Sequence, residues 1–464
     1  MAGAFVPPGN QRISTLDPDP SLAYNVLAQE SCAAMTTRLF SEVAMLVRLF
    51  GKNFRSLKDD FELSMVAADL KRKEDRDRGV IEVPIAGSDE PLRLLRTVAI
   101  YGPNASGKST VLMAARALSW LAIESSAQSQ PDAKIPPYEP FALDEESSKS
   151  PIELGCDVTF KESILRYQIS YESKSIWREF LVELGGDGET LLLERSPSGE
   201  VTGDLIARSD ANRLYVEKMQ PNVSVLSKLA QHGPHSGKES VGPYYRAIRD
   251  ATRYLDYSGA AVFHLGLGYT SNERFAKDDL YREWIMDHLI KDADFGICDV
   301  RTRLAKVELP EALRVTGGKA PDVPNMLTLV SFVHEGDARQ PIEFWLESSG
   351  TKKLFNIAGD WWTIAHEEVT LLADELSASL HPRLLNGLIR AVNEPAENLR
   401  SQLIFATHDT VLLESQDGEP PALRRDQVYF TKKKPNGATE LYSLAEFKEG
   451  ARPVHNIRKR YMSG

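Results

Sequence analysis

Cysteine is scarce: three residues in 464, Cys32, Cys156 and Cys298. They are too few and too scattered for a disulfide framework or a zinc cluster. No apolar run approaches the roughly 20 residues that cross a bilayer. The opening MAGAFVPPGNQRIS lacks the charged-then-apolar layout of a secretory signal. The expectation from these absences is a cytoplasmic protein with no membrane partner. Positive charge is also lacking. The net charge of −11 means the chain as a whole does not attract nucleic acid. Short basic runs do occur at Lys432-Lys433-Lys434 and from Arg452 to Arg460, but runs of this length are usually solvated faces. There is no internal repeat, and no heptad series long enough for a coiled coil.

What remains is ordinary globular composition at a length that permits one large domain or two smaller ones. Residues 1–44, with Pro7-Pro8 and Asp17-Pro18-Asp19-Pro20, form an extension. A strand is expected from Met45, and a second apolar strand from Leu94 to Tyr101. A helix then follows over Ser109–Ala122, where Val111, Leu112, Ala115 and Leu118 recur at helical spacing. Alternating strands continue to about residue 200, and 201–325 reads as a mainly helical insertion. Leu327–His334 and Ile342–Leu346 are expected strands, and 326–464 resumes helix–strand alternation. The expected fold class is α/β: one P-loop domain with a mixed sheet, split by the insertion into halves at 45–200 and 326–464.

The most informative segment is Gly102-Pro103-Asn104-Ala105-Ser106-Gly107-Lys108-Ser109, which matches G-x-x-x-x-G-K-[ST] throughout. It lies between an apolar strand and an apolar-periodic helix, as phosphate binding requires. Backbone N–H groups wrap the phosphate oxygens, and the helix start adds free donors and partial positive charge. Lys108 is placed to reach the β- and γ-phosphates, and Ser109 to coordinate Mg²⁺.

Two later strands end in chemistry. Val369-Thr370-Leu371-Leu372-Ala373 is an apolar run stopped by Asp374-Glu375. A buried parallel strand delivers its last residues to the ligand crevice, so carboxylates belong there. Asp374 is expected beside Mg²⁺, with Glu375 orienting the attacking water. Gln402–Thr407 leads in the same way to His408, which can hydrogen-bond the γ-phosphate and respond to its presence. Ahead of both, Ser348-Ser349-Gly350-Thr351 opens a helix running to about His366. Such a start offers N–H groups to an anion, or simply an ordinary N-cap.

The order of phosphate loop, S-S-G-T helix start, acidic strand end and histidine resembles the ABC-type ATPases. That resemblance implies ATP as ligand, and a head-to-head oligomer in which Ser348, Ser349 and Gly350 of one subunit close over a nucleotide held by another. Lys52-Asn53-Phe54-Arg55-Ser56-Leu57 and Asp374-Glu375-Leu376-Ser377-Ala378-Ser379-Leu380-His381-Pro382 look like the corresponding stretches of the overcoming-lysogenization-defect (OLD) ATPases, as does Asp287–Ile297. The resemblance places Arg55 and Thr110 among the nucleotide-binding residues and covers about 45–464.

Two departures narrow the reading. The long coiled coil of the chromosome and break-repair clamps is missing, and 409–464 is too short for the metal-dependent nuclease domain of OLD nucleases. The chain is therefore similar to stand-alone ATPase subunits of bacterial anti-phage systems such as PtuA of Septu, AriA of PARIS and the AbiLii-like proteins. The expected partners are further copies of itself, a separately encoded effector such as a nuclease, and a DNA or phage-protein trigger. The alternatives are a DNA-repair or DNA-maintenance clamp acting directly on DNA, a transporter engine, and a sensor that does not hydrolyse its nucleotide.

Overall fold

The first half of the chain is strand-rich because its apolar residues recur at every second position. In Ser163–Tyr171, for example, Leu165, Tyr167, Ile169 and Tyr171 are buried while Arg166 and Gln168 are partly exposed. The computed structural model describes residues 43–70, 77–186, 188–255, 274–290, 296–306, 326–336, 340–374, 376, 382–395, 399–415 and 420–446.

The early strands are β1 (Leu46–Lys52), β2 (Phe61–Ser64), β3 (Val80–Val83), β4 (Leu92–Leu95) and β5 (Thr97–Tyr101). After β6 (Ile152–Phe160), β7 (Ser163–Tyr171), β8 (Ile176–Gly185), β9 (Gly188–Arg195) and β10 (Val201–Thr202) come β11 (Arg253–Leu255), β12 (Ile297–Lys306), β13 (Met326–His334) and β14 (Pro341–Glu343). The last four are β15 (Thr370–Ala373), β16 (Gln402–Ala406), β17 (Val428–Lys433) and β18 (Thr439–Ser443). One sheet has the order β10-β9-β8-β7-β6-β1-β2, and the sheet that carries the site has the order β11-β15-β16-β5-β17-β18. In the latter, β11 through β17 run parallel and only β18 is antiparallel.

The central strands TVAIY, TLLA and QLIFA are buried at every residue, as expected for parallel strands covered on both faces. Their alternate side chains enter two cores. Leu372, Ile404 and Ala406 join helix α1 (Lys108–Ser119) through Val111, Leu112 and Leu118, together with Leu49, Leu154 and Tyr167 of the first sheet. Leu371, Leu403 and Phe405 face the opposite way. Helices α2 (Val225–His232) and α3 (Gly242–Ala251) cover the first sheet. The second core contains α4 (Ser349–His366) and α5 (Pro382–Asn393), through Leu354, Phe355 and Ile357 and through Leu385 and Ile389.

Buried polar groups tie these layers together. The Glu179 carboxylate, wholly buried on β8, accepts the backbone N–H groups of Val225 (2.7 Å) and Leu226 (3.1 Å) at the start of α2. Burial raises its pKa above the usual carboxylate range, an effect opposed by these two bonds and by Arg195. Arg424 makes a bidentate pair with Asp426 (2.9 and 2.7 Å), and both are shut from solvent. Asp426 also accepts the N–H of Ala68, fixing the strand-rich half to the C-terminal strands. Removing one member of such a pair costs about 3–5 kcal/mol, because the other charge stays buried.

The structure departs from the sequence reading at several places. Leu94–Tyr101 is two strands, broken at Arg96. There the backbone N–H donates to Gly79 O (2.9 Å), the carbonyl accepts from Leu403 N (2.8 Å), and the buried side chain bonds the carbonyl of Leu399. Burial lowers the Arg96 guanidinium to about 10. Helix α1 gives way at Trp120 to a wider π-helical turn, Trp120–Glu124. The span 201–325 holds α2 and α3 but also β11, a member of the central sheet, and β12, which pairs with β13 across the expected boundary at 325/326. Phe344–Leu346, expected as strand, is a 3₁₀ turn.

Candidate nucleotide-binding site

Residues Gly102–Gly107 connect the end of β5 to the start of α1. Pro103, Asn104 and Ala105 are exposed at the crown of the loop, while Gly102, Ser106 and Lys108 are buried beneath it. The glycines are required sterically. A Cβ on Gly102 would lie 2.2 Å from Thr431 Oγ1, and one on Gly107 would lie 2.3 Å from Thr439 Oγ1. Gly107 also has φ +110°, which disfavours any side chain. As N-cap it offers no side-chain acceptor, and the first turn of α1 holds no acidic residue. Its N–H donors and dipole are thus suited to an anion. Lys108 Nζ donates to the carbonyls of Gly102 (2.9 Å) and Pro103 (3.1 Å), which holds the ammonium within the curl of the loop. Ser109 and Thr110 follow in the first turn, both partly exposed.

Register places the other ends at the same edge. Ala373 pairs with Phe405, and Ala406 pairs with Ile100. Asp374, His408 and the phosphate loop therefore all follow the carboxyl ends of neighbouring parallel strands, where α/β sheets bind ligands. Asp374 is half-buried and His408 exposed. The turn after β16 is rigid: Thr407 N donates to Ile100 O (3.1 Å), Asp409 N to Thr407 Oγ1 (3.0 Å), and Tyr101 Oη to Asp409 O (3.0 Å). Glu375 lies outside the described residues, as do Ser377–His381, the tail from Arg452 and part of the Asp287–Ile297 stretch.

Arg55 sits at a tight turn with φ 51°, where Phe54 and Leu57 exchange backbone hydrogen bonds of 2.9 and 2.8 Å. Its guanidinium pairs with Glu139 and touches Met113 Sδ, one turn beyond the phosphate loop. Asn53 pins the turn, donating to the carbonyls of Ser147, Ser150 and Pro151 and accepting from Phe141 N. Ser348 caps α4, its Oγ accepting from Thr351 N at 3.1 Å. Ser348 and Ser349 are exposed at that helix start.

Sequence reasoning missed the support beneath the loop. Ser106 Oγ and Thr431 Oγ1 are 2.6 Å apart, and Thr431 Oγ1 donates to Tyr101 O (3.2 Å). Thr439 Oγ1 donates to Ser106 O (2.8 Å) and lies 2.8 Å from Ser56 Oγ. The only trace in the sequence is a threonine facing inward on each strand of the β17–β18 hairpin. The neighbouring lysines are solvated: Lys433 donates to Gly437 O, and Lys434 pairs with Asp59 at 2.9 Å. Among the described residues no cluster of three or more His, Cys, Asp or Glu could hold a metal. No described helix is long and apolar enough to cross a membrane.

A sequence family described as "AAA domain, putative AbiEii toxin, Type IV TA system" matches residues 98–414. The chain belongs to this AAA family. The matched span runs from β5 past His408, so it contains the phosphate loop, Ser348–Thr351 and Asp374; Arg55, Thr431 and Thr439 fall outside it. The chain thus carries an AAA domain, with the α/β fold expected from its sequence. No curated protein matches it. Among solved structures, an SMC head bound to the C-winged helix domain of ScpA is similar at 12% identity and TM-score 0.42, with 86% of this chain and 98% of that chain covered. An SMC head domain from Thermotoga maritima is 13% identical at TM-score 0.35, with 86% and 98% covered. A Pyrococcus furiosus Smc head with an extended coiled coil, bound to the C-terminal domain of ScpA, is 11% identical at TM-score 0.40, with 90% and 99% covered.

In this AAA chain the hairpin threonines make a specific prediction. Thr439→Val keeps shape but removes the bond to Ser106 O. A loss of about 1 kcal/mol raises the ATP Kd about fivefold with little change in Tm. An unchanged Kd in equilibrium binding would remove Thr439 from the support of the loop.

Proposed function

We propose that this chain binds ATP with Mg²⁺ on Gly102–Ser109, hydrolyses it, and associates through ATP-bridged heads to hold or release a separately encoded effector in anti-phage defence. The observation that carries the reading is the convergence of the phosphate loop, Asp374 and His408 on one sheet edge, while Ser348 and Ser349 stand exposed at the head of α4.

Lys108 offsets phosphate charge and fixes the γ-phosphate. Glu375 positions the attacking water for in-line displacement, and His408 bonds the γ-phosphate, linking its presence to the strand end. Ser109 and Asp374 would hold Mg²⁺, which supplies charge neutralisation when bound. Two protein oxygens, with no cluster of three or more His, Cys, Asp or Glu among the described residues, suit an ion carried mainly by phosphate. Helix α4 has 18 residues, about 27 Å in length, and the exposed Ser348-Ser349 at its start suits a nucleotide on another copy. Arg55 and Thr110 flank the same first turns of α1. The family description, which names a toxin of a TA system, supports a role tied to a second gene product.

Sedimentation velocity tests the association. ATP is expected to produce a dimer or higher oligomer, and Ser349→Arg to abolish it while each chain still binds ATP. Association that is insensitive to both nucleotide and Ser349→Arg would overturn the bridged-head reading.

A further inference from the structure

Among the described residues, a cleft of about 1030 Å³ lies apart from the phosphate loop except at Arg55. It runs along the exposed face of α1 and the π-helical turn. Met113, Ala117 and Trp120 form its floor, the first sheet's loops make one wall, and the C-terminal end of α3 with β11 makes the other. Trp120 lies about 18 Å along the helix from Lys108, so the far half of the cleft is separate ground from the phosphates.

The chemistry of the lining is selective. Four arginines and no lysine line it, together with three carboxylates. The carboxylates are already engaged: Glu139 with Arg55, Asp250 with Arg249 at 2.8 Å, and Glu124 with Gln128. Arg253 is exposed and, among the described residues, forms no ion pair. The Arg116 guanidinium lies 5.4 Å from the centroid of the Tyr254 ring. Trp120 is held by its Nε1–H, which donates to Gln128 Oε1 at 3.1 Å. Guanidinium groups bind phosphate in bidentate fashion and stack on planar rings, and Trp and Tyr offer faces for a base. A long polyanion would meet the repulsion of a chain with net charge −11, whereas a small ligand in the cleft meets four arginines against three carboxylates. The cleft volume lies near the top of the range for small-molecule sites.

We propose that this cleft binds a small phosphorylated nucleotide, separate from the ATP on the phosphate loop, with Arg116 and Arg253 on its phosphates and Trp120 and Tyr254 against its bases. Arg55 stands at the junction of cleft and loop. The site goes beyond the ATPase reading and does not depend on hydrolysis.

The probe is the 5′-phosphorylated dinucleotide pApA, titrated calorimetrically into the Lys108→Ala chain; a parallel ATP titration shows whether the loop has been silenced. One pApA per chain is expected. Arg253→Ala and Arg116→Ala should each weaken it at least tenfold, while Arg253→Ala in the chain that retains Lys108 leaves ATP binding unchanged. Trp120→Phe, compared at matched Tm, should remove the fluorescence quench caused by pApA. Absence of pApA binding, or binding indifferent to both arginine substitutions, overturns the proposal. So does a single-stranded 20-mer that binds more than a hundredfold tighter with steep salt dependence, which would mark a polymer groove.

Discussion

Lys108→Ala is expected to lower ATP affinity by more than a hundredfold without unfolding the chain. The ammonium is the one cation that the phosphate-loop motif itself supplies, and charge-assisted bonds to phosphate are about twice as strong as neutral ones. Losing about 3 kcal/mol of such interaction is a factor of more than 100 in Kd. The structural cost is smaller. Lys108 donates to Gly102 O and Pro103 O, but the loop is also held by Thr431 and Thr439 from the β17–β18 hairpin. Tm should therefore fall by only a few degrees while binding disappears. Lys108→Arg separates charge from shape: it keeps the cation, but its planar fork is a poor substitute for a point charge in this curl. Equilibrium binding with and without Mg²⁺, beside thermal unfolding, reads both effects. Near-normal ATP affinity in Lys108→Ala would refute the assignment of the loop.

Parts of the fold that depend on local constraint were legible in the sequence, and parts that depend on distant contacts were not. The loop motif specifies its own backbone, since Gly107 must occupy φ +110° and the helix must start at once. Continuous apolar runs ended by Asp374 or His408 announced buried parallel strands and the edge to which they lead. The support from Thr431 and Thr439 could not be read, because it joins residues more than 300 positions apart. Three-residue β11 was hidden between helices, since its pairing with β15, not its own pattern, makes it a strand. Arg96 broke an apparently continuous apolar run because its backbone bonds Gly79 and Leu403, partners that periodicity does not reveal. The residues 344–346, Phe-Trp-Leu, have strand-like side chains but turn into the Ser348 cap. A local capping signal there outweighed β propensity.

Glu375→Gln is expected to preserve ATP binding and lower hydrolysis by about 10²–10⁴, the range contributed by a positioned acid–base group. Asp374 directly follows β15, two strands from β5 with β16 between them. In the proposed reaction the adjacent Glu375 would polarise the attacking water, while Asp374 would serve the cation. The amide retains nearly the same volume and can still hydrogen-bond water, but it lacks the charge that draws off a proton. If ATP bridges the heads, the assembly lasts until the nucleotide is hydrolysed, so its lifetime should lengthen by the same factor as hydrolysis slows. Asp374→Asn should behave differently, weakening binding in a Mg²⁺-dependent way. Single-turnover hydrolysis and size-exclusion chromatography on the same preparations distinguish the two. Wild-type hydrolysis in Glu375→Gln would remove that residue from catalysis. Slowed hydrolysis without a longer-lived oligomer would leave Glu375 catalytic but detach nucleotide turnover from assembly.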